Sequence, residues 1–65
     1  MSKFSQRLIL LRKQRRQSQL AVAKELQIAL RGYQSYEYGK AEPRLSTLIK
    51  LADYFGVSLD YLAGR

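Results

Sequence analysis

The chain has 65 residues, 46% of them hydrophobic, which suits one small folded domain over residues 1–65 and is too apolar for a disordered tail. It contains no cysteine and no histidine, so disulfides and zinc fingers are excluded, and we expect no enzyme, metal site or cofactor. The net charge of +7 favours a polyanionic partner, either nucleic acid or an anionic membrane surface.

The first predicted helix runs from about Phe4 to Arg16 and carries most of the positive charge. Its expected buried stripe, which repeats at about 100° per residue, comprises Phe4, Leu8, Leu11 and Arg15. Ile9 and Leu10 fall outside this stripe, where polar side chains are the usual residues. Seven of the twelve basic residues, and no acidic residue, lie in residues 1–24. The excess charge therefore belongs to the first two helical segments, and its plainer interpretation is a solvated basic face.

The next two predicted helices are short and closely spaced. Ser18 is a good N-cap for the second helix, which ends near Leu26, and the third helix runs from about Leu30 to Tyr38. Gly39 follows it, and glycine is the usual residue for a left-handed conformation at a helix C-terminus. Because so short a link joins the two helices, the pair outlines a helix-turn-helix, a motif whose second helix fits the major groove of DNA.

The rest of the chain predicts a loop and two further helices. Pro43 lies in the loop 40–44 and suits the start of a fourth helix, Leu45–Phe55. The expected inward side of that helix comprises Leu45, Leu48, Ala52 and Phe55. Gly56 ends this helix, and Ser58 caps a final short turn. Five helices with short connections, and no strand pattern, predict a compact all-α five-helix bundle.

Four groups of residues carry a family resemblance. They are Ser18-Gln19, Tyr36-Glu37-x-Gly39-Lys40, Pro43, and the run LADYFGVSLDYL that ends at Leu62. With them, the chain from Phe4 to Gly64 resembles the Cro/repressor-type helix-turn-helix domains of phage and bacterial regulators. The resemblance implies a lambda-repressor-like fold and binding to DNA, although one fold can host several roles.

The resemblance also implies which residues meet DNA. The positions that match base contacts are Leu30, Arg31, Gln34 and Ser35. Arg31 can pair with guanine O6 and N7, Gln34 can bond adenine N6 and N7, and Leu30 can only touch a thymine methyl group or exclude water. The expected phosphate contacts are Gln19, Lys40 and Arg44, together with Arg12 and Arg16 through longer-range attraction.

Three residues depart from the family pattern around the third helix. Gln27 occupies a turn position where the family usually has glycine, so the turn must avoid a left-handed backbone or adopt one under strain. Ala29 stands where serine or threonine commonly caps the helix, a loss of about 1 kcal/mol. Gly32 lies inside the helix and costs about 1 kcal/mol relative to alanine. The third helix is therefore weakly supported by its own sequence.

Two functions stay open at this point. The first is a sequence-specific regulator of Cro type, a repressor of a phage or prophage switch that occupies a double-stranded DNA operator as a homodimer. The second is a small modulator, or antirepressor, that binds another regulator protein through apolar surface residues. Its candidate patch comprises Ile9, Leu10, Leu20 and Tyr38. A self-contact through Ile9 and Leu10 would instead serve a homodimer.

The sequence further predicts a cytoplasmic protein with neither a membrane partner nor a catalytic site. The apolar run Leu8–Leu11 is far shorter than a signal peptide core or a membrane span. The apolar faces of the helices are also needed for the core and are not free to lie on a bilayer. Five scattered carboxylates form no catalytic constellation.

Overall fold

A computed structural model describes residues 2–65, which fold into five helices and contain no strand. The helices are α1 (Lys3–Gln14), α2 (Gln19–Glu25), α3 (Leu30–Glu37), α4 (Leu45–Phe55) and α5 (Leu59–Ala63). The predicted bounds of α4 are reproduced, whereas α1 ends at Gln14 rather than at Arg16. Helix α1 packs against α3 and α5, α2 against α3, and α4 against α5. The prediction of an all-α five-helix bundle is confirmed.

The core lies where the inner faces of the helices meet. Its buried apolar residues are Phe4, Leu8, Leu11, Val22, Ala23, Leu26, Tyr33, Leu51, Ala52, Phe55 and Leu62. The predicted inner stripe of α1 is correct at Phe4, Leu8 and Leu11. Burying each large apolar side chain stabilises the fold by about 1.5–3 kcal/mol, so this core is the main source of stability.

Two residues that we assigned to buried stripes lie at the surface instead. Leu45 is 66% exposed, because burial along α4 fades from Leu51 through the half-buried Leu48 to the first turn. Arg15 follows the last residue of α1 and is exposed, with its guanidinium carbon 4.8 Å from the ring centroid of Tyr54. An arginine can cover an aromatic ring in this way while its charge stays in water.

Serine side chains cap three of the helices. Ser2, Ser18 and Ser58 accept hydrogen bonds from backbone N–H groups in the first turns of α1, α2 and α5, at 3.1, 3.0 and 3.0 Å. Helix α3 has no such bond because its N-cap residue is Ala29, as the sequence predicted. Beyond its other end, Gly39 has a φ of +73°, the left-handed conformation expected there.

The link between α2 and α3 places a residue other than glycine in the left-handed region. Gln27 has a φ of +56°, so of the two alternatives for this turn the chain adopts the strained one, at a cost of about 1 kcal/mol. A hydrogen bond from Ile28 N to Ala23 O, 2.9 Å long, closes the turn. This turn sets α3 against α2 in a helix-turn-helix.

Candidate nucleic-acid interface

Helix α3 turns one side to the core and the opposite side to the surface. Tyr33 and Glu37, about one helical turn apart, are both buried and fix which side faces inward. Away from that side, Arg31 is exposed, and Gln34 and Ser35 are half-buried. The first turn of α3 contains no acidic residue that would repel a phosphate or a base acceptor. The outward side of α3 is therefore accessible to an anionic partner.

The four predicted base-contact residues differ in how free their side chains are. Arg31 is exposed, whereas Leu30 is half-buried and packs against the core. The Ser35 hydroxyl donates a hydrogen bond to a carbonyl oxygen of its own helix at 2.6 Å. Gln34 Nε2 donates to Gln19 Oε1 at 3.1 Å, so α2 holds this amide. Arg31 is thus the most accessible of the four, and their roles as base contacts stay predictions.

A buried ion pair joins the C-terminal end of α3 to α1. Glu37 is 1% exposed, with its Oε2 2.6 Å from Arg12 Nε, and Arg12 Nη2 donates to Oε1 at 3.1 Å. The Tyr33 hydroxyl donates to Oε2 at 2.5 Å, and Gln19 Nε2 donates to Oε1 at 3.0 Å. Each carboxylate oxygen accordingly accepts two hydrogen bonds, which gives a buried charge the partners it needs.

The pKa values in this cluster shift in the directions that the contacts require. Burial alone would raise the pKa of Glu37, but the hydrogen bonds donated by Arg12, Tyr33 and Gln19 hold it below its usual value. The hydrogen bond to Glu37 raises the pKa of Arg12. Burial, together with the neighbouring carboxylate, raises the pKa of Tyr33. At neutral pH Glu37 is therefore charged and Tyr33 is neutral.

Arg12 is engaged inside the protein, and its predicted longer-range attraction of phosphate stays a prediction. Its guanidinium points inward, where it donates to Glu37 and, at 2.9 Å, to the carbonyl oxygen of Gln17. Turning it outward would leave the carboxylate of Glu37 buried without its cation, which is strongly unfavourable. Arg12 is therefore held by internal contacts, unlike the exposed cations described next.

The other predicted phosphate contacts lie at the ends of the helices. Arg16, Lys40 and Arg44 are exposed, and they follow α1, follow α3 and precede α4 respectively. Gln19 is the first residue of α2 and is half-buried, with its amide bonded to Glu37. The three cations are therefore accessible, whereas the Gln19 side chain is already engaged. Their contacts with phosphate stay predictions.

The predicted apolar patch is partly exposed. Leu10 is 49% exposed, Leu20 47% and Tyr38 52%, while Ile9 is half-buried. The Tyr38 hydroxyl donates to Gln19 Oε1 at 3.4 Å, the same oxygen that accepts from Gln34. Tyr38 therefore lies beside the candidate base contacts as well as in the predicted patch.

Our reading of the sequence missed the cluster around Glu37. One signal was available, because Tyr33 and Glu37 are four residues apart and therefore lie on the same side of a helix. An acidic residue on an inward side needs a buried cationic partner. Which arginine supplies it depends on how α1 crosses α3, and the sequence pattern of α1 does not contain that information.

Two other kinds of site are absent from the described residues. No helix within residues 2–65 is long and apolar enough to span a bilayer. Nor does this range bring together three or more carboxylates in an arrangement that would hold a metal ion.

Comparison with known proteins places the chain within one described family. A family model described as helix-turn-helix matches residues 8–62, which include the whole of α2 and α3. This match covers well over half of the chain. No solved structure gives a significant match.

Curated relatives are phage-derived or bacterial regulators. The SPbeta prophage-derived uncharacterized HTH-type transcriptional regulator YonR of Bacillus subtilis is 48% identical over 59 residues, which are 91% of this chain and 55% of the relative. The Cryptic phage CTXphi transcriptional repressor RstR of Vibrio cholerae is 38% identical over 63 residues, 97% of this chain and 56% of the relative. The uncharacterized HTH-type transcriptional regulator YqaE of Bacillus subtilis is 42% identical over 59 residues, 91% of this chain and 51% of the relative. The chain thus spans about half the length of the curated relatives it matches.

Proposed function

This chain belongs to the helix-turn-helix family of Cro/repressor type, and from that premise we propose that it binds double-stranded operator DNA. In this proposal it is a sequence-specific transcription regulator, a Cro-like repressor of a phage or prophage switch. Two relatives support the phage setting, since one is named as prophage-derived and the other as a phage repressor. Helix α3 enters the major groove, and α2 lies across the DNA backbone.

The outward side of α3 is the observation that carries this proposal. Arg31 is exposed in the first turn, on a helix whose inward side is fixed by Tyr33 and Glu37. The arginine fork matches the O6 and N7 acceptors of guanine, and the major groove is wide enough for one helix. Gln34 lies one turn further along, so the same side presents a cationic donor followed by an amide.

The charge distribution supports contacts with the DNA backbone. Lys40 and Arg44 are exposed in the segment that follows α3, and Arg16 is exposed after α1. Glu37 is the acidic residue of α3, and Arg12 neutralises it inside the protein. The outward side of α3 therefore carries the positive charge of Arg31 and no negative charge of its own, which favours contact with a phosphate backbone.

The proposed regulator binds as a dimer. Helix-turn-helix proteins of this kind occupy two half-sites about one helical turn apart, so we expect a pseudo-palindromic operator. A dimer seated there represses by covering DNA that the transcription machinery needs.

Selection from randomised duplexes, followed by binding measurements at several salt concentrations, tests the proposal. We expect one family of duplexes to be enriched and to bind at least about a thousandfold more tightly than random duplex. Both should show a salt-dependent affinity because phosphate contacts release counterions. The proposal would be refuted if affinity depended on salt but was equal for selected and random duplexes at physiological ionic strength, because only non-specific attraction would then remain.

Matched arginine and lysine variants assign the contacts. Arg31→Ala should relax selection at one base position and cost about 1–3 kcal/mol on the selected duplex. Lys40→Ala should weaken binding to all sequences alike and reduce the salt slope by about one. Arg65→Ala removes the same charge at an exposed residue outside the helix-turn-helix and serves as the control.

A second candidate function rests on the exposed apolar residues. Leu10 and Leu20 are each about half exposed at places where a soluble helix usually carries polar side chains. We propose, as the alternative, that they contact another regulator protein, so that this chain modulates the DNA binding of that regulator. Both roles can coexist in one protein.

Replacing Leu10 by Glu tests this alternative because the side chain is exposed and the core is left intact. Loss of binding to a regulator encoded beside this chain, with self-association unchanged, would support the modulator. Loss of self-association instead would assign Leu10 to a homodimer. Retention of both interactions would contradict the proposal that Leu10 belongs to a protein-binding surface.

A further inference from the structure

The amides of Gln19 and Gln34 connect the buried carboxylate of Glu37 to the outward side of α3. Gln19 Nε2 lies 3.0 Å from Glu37 Oε1, and Gln34 Nε2 lies 3.1 Å from Gln19 Oε1. The packing of α2 against α3 brings the three side chains together. The orientation of each amide in this series follows from what its neighbour can donate or accept.

Glu37 determines the orientation of the first amide. An ionised carboxylate accepts hydrogen bonds and donates none. The ion pair with Arg12, at 2.6 Å, favours the ionised form of this carboxylate. Only the Nε2 end of Gln19 can therefore face Glu37, because reversing the amide would place two oxygens against each other. The Oε1 of Gln19 must point away from Glu37.

The fixed oxygen of Gln19 then orients two groups of α3. Gln34 can approach Gln19 Oε1 only with its Nε2 donor. Tyr38 can approach the same oxygen only as a hydroxyl donor, and the two oxygen atoms are 3.4 Å apart. Within residues 2–65, Gln34 Oε1 accepts no hydrogen bond, and the atom is accessible to solvent. It is therefore the acceptor that this side chain offers to a ligand.

We propose that Glu37 is a positioning residue for base reading, which acts through Gln19 to hold Gln34 with its Oε1 outward. This inference rests on the proposed function, because the ligand is a base edge in the major groove. An outward acceptor pairs with an exocyclic N–H group, which adenine carries at N6 and cytosine at N4. It repels guanine O6 and thymine O4, which are acceptors themselves.

Adenine is the best match of the two permitted bases. One hydrogen of Gln34 Nε2 is used by Gln19, and the other is free to meet adenine N7 while Oε1 accepts from N6. Cytosine offers no acceptor beside its N4 donor. Because the amide is held before binding, the complex also avoids part of the entropy cost of fixing a long side chain.

Gln19→Met in the full chain separates positioning from folding. Methionine has a similar length and no amide, so the variant breaks both links while Arg12 and Tyr33 still partner Glu37. Gln14→Met makes the same change at an exposed residue of α1 and is the control. Gln34→Ala identifies the base position that Gln34 reads, as the position where selection is lost. Thermal unfolding of each variant shows that it is folded at the assay temperature.

We expect the wild-type protein and Gln14→Met to prefer adenine over guanine at the position read by Gln34. Gln19→Met should reduce that preference by about tenfold, and this change in the ratio is separate from any loss of the predicted Gln19 phosphate contact, which would weaken binding to all duplexes alike. A merely structural role for Gln19 would weaken binding to all duplexes together. Glu37→Gln, which keeps the shape and removes the charge, should move the base preference in the same direction as Gln19→Met.

An NMR measurement on the free protein reports the orientation without DNA. The side-chain amide protons of Gln34 should exchange with water several-fold faster in Gln19→Met than in wild type. Unchanged exchange, an unchanged adenine ratio in Gln19→Met, or a wild-type preference for guanine or thymine at this position would overturn the positioning role. If the wild-type protein selects no duplex at all, the proposed function fails together with base reading, and the exchange rates alone then show whether Gln19 orients Gln34.

Discussion

The two ends of α3 are held in place by different means. At the C-terminal end, Tyr33 and Glu37 are buried, and hydrogen bonds from Arg12 and Gln19 tie the carboxylate to α1 and α2. At the N-terminal end, the cap residue is Ala29 without a side-chain bond, and a glycine follows within the first turn. The first turn of α3, which carries the proposed base contact Arg31, is thus the less firmly held end of the helix. Its position depends on the firmly held end and on the half-buried Leu30.

This difference separates stability from recognition along one short helix. The contacts that hold α3 are polar, specific and inward, whereas Arg31 at the other end is exposed. Regions with few buried contacts and no cap open locally at low free energy. We therefore expect removal of the Glu37 side chain to lower global stability strongly. Changes in the first turn of α3 should alter local order with small effects on global stability.

Removing the buried carboxylate should cause the largest loss of stability. Glu37→Ala leaves Arg12 largely buried and unpaired, and we expect a loss of about 3–5 kcal/mol in the free energy of unfolding. Urea denaturation followed by circular dichroism measures it. Glu25→Ala, which removes an exposed carboxylate, is the control and should change little. A loss below about 1 kcal/mol for Glu37→Ala would show that this cluster does not hold α3.

Acidification should lower the stability of the wild-type protein through Glu37, at the C-terminal end of α3. Because the folded-state pKa of Glu37 is lowered, its contribution to stability is fully present above the ordinary glutamate pKa and is lost as the pH falls through the folded value. The added slope should approach about 1.4 kcal/mol per pH unit for this one group. Urea midpoints between neutral and acid pH measure it. The slope should be smaller in Glu37→Gln, and equal slopes in both proteins would contradict the assignment.

Adding a cap should strengthen the weaker end. Ala29→Ser supplies the hydroxyl that α3 lacks, and we expect a gain of about 1 kcal/mol in the free energy of unfolding. The reverse change at a capped helix, Ser58→Ala, should lose a similar amount. Hydrogen exchange at the first amides of α3 should slow in Ala29→Ser. No change there would mean that the first turn is already held by packing.

Filling the glycine in the first turn should have the smallest effect on stability. An added Cβ at Gly32 meets Ile28 Cγ2 at 3.8 Å, an ordinary contact, so Gly32→Ala should gain about 0.5–1 kcal/mol. Gly39→Ala is the matched contrast, since its φ of +73° makes alanine unfavourable, and it should lose stability. Thermal unfolding of both variants measures the pair. A loss in Gly32→Ala would mean that the glycine is required by the fold.

Local signals were enough to predict the helices and most of their ends. Ser18 and Ser58 cap the helices that the sequence assigned to them, and Gly39 has the left-handed backbone expected after α3. Each of these features depends on residues a few positions apart, so the sequence alone contains the cause. Family resemblance, and not periodicity, indicated which residues of α3 we propose as DNA contacts.

Features that depend on packing between helices were not predictable in the same way. Leu45 fits the helical stripe of α4 but lies beyond the edge of the core, and no pattern marks where a core ends. The ion pair between Arg12 and Glu37 depends on how α1 packs against α3, which the sequence of α1 does not reveal. For Gln27 the sequence left two backbone conformations open, and the structure shows the left-handed one.

A titration of the isotope-labelled protein with its selected duplex, followed by NMR, tests most directly whether α3 reads DNA. We expect the largest shifts at the backbone amides of Arg31, Gln34 and Ser35, with smaller ones at Lys40. A full titration that produces no shifts along the outward side of α3 would contradict the account.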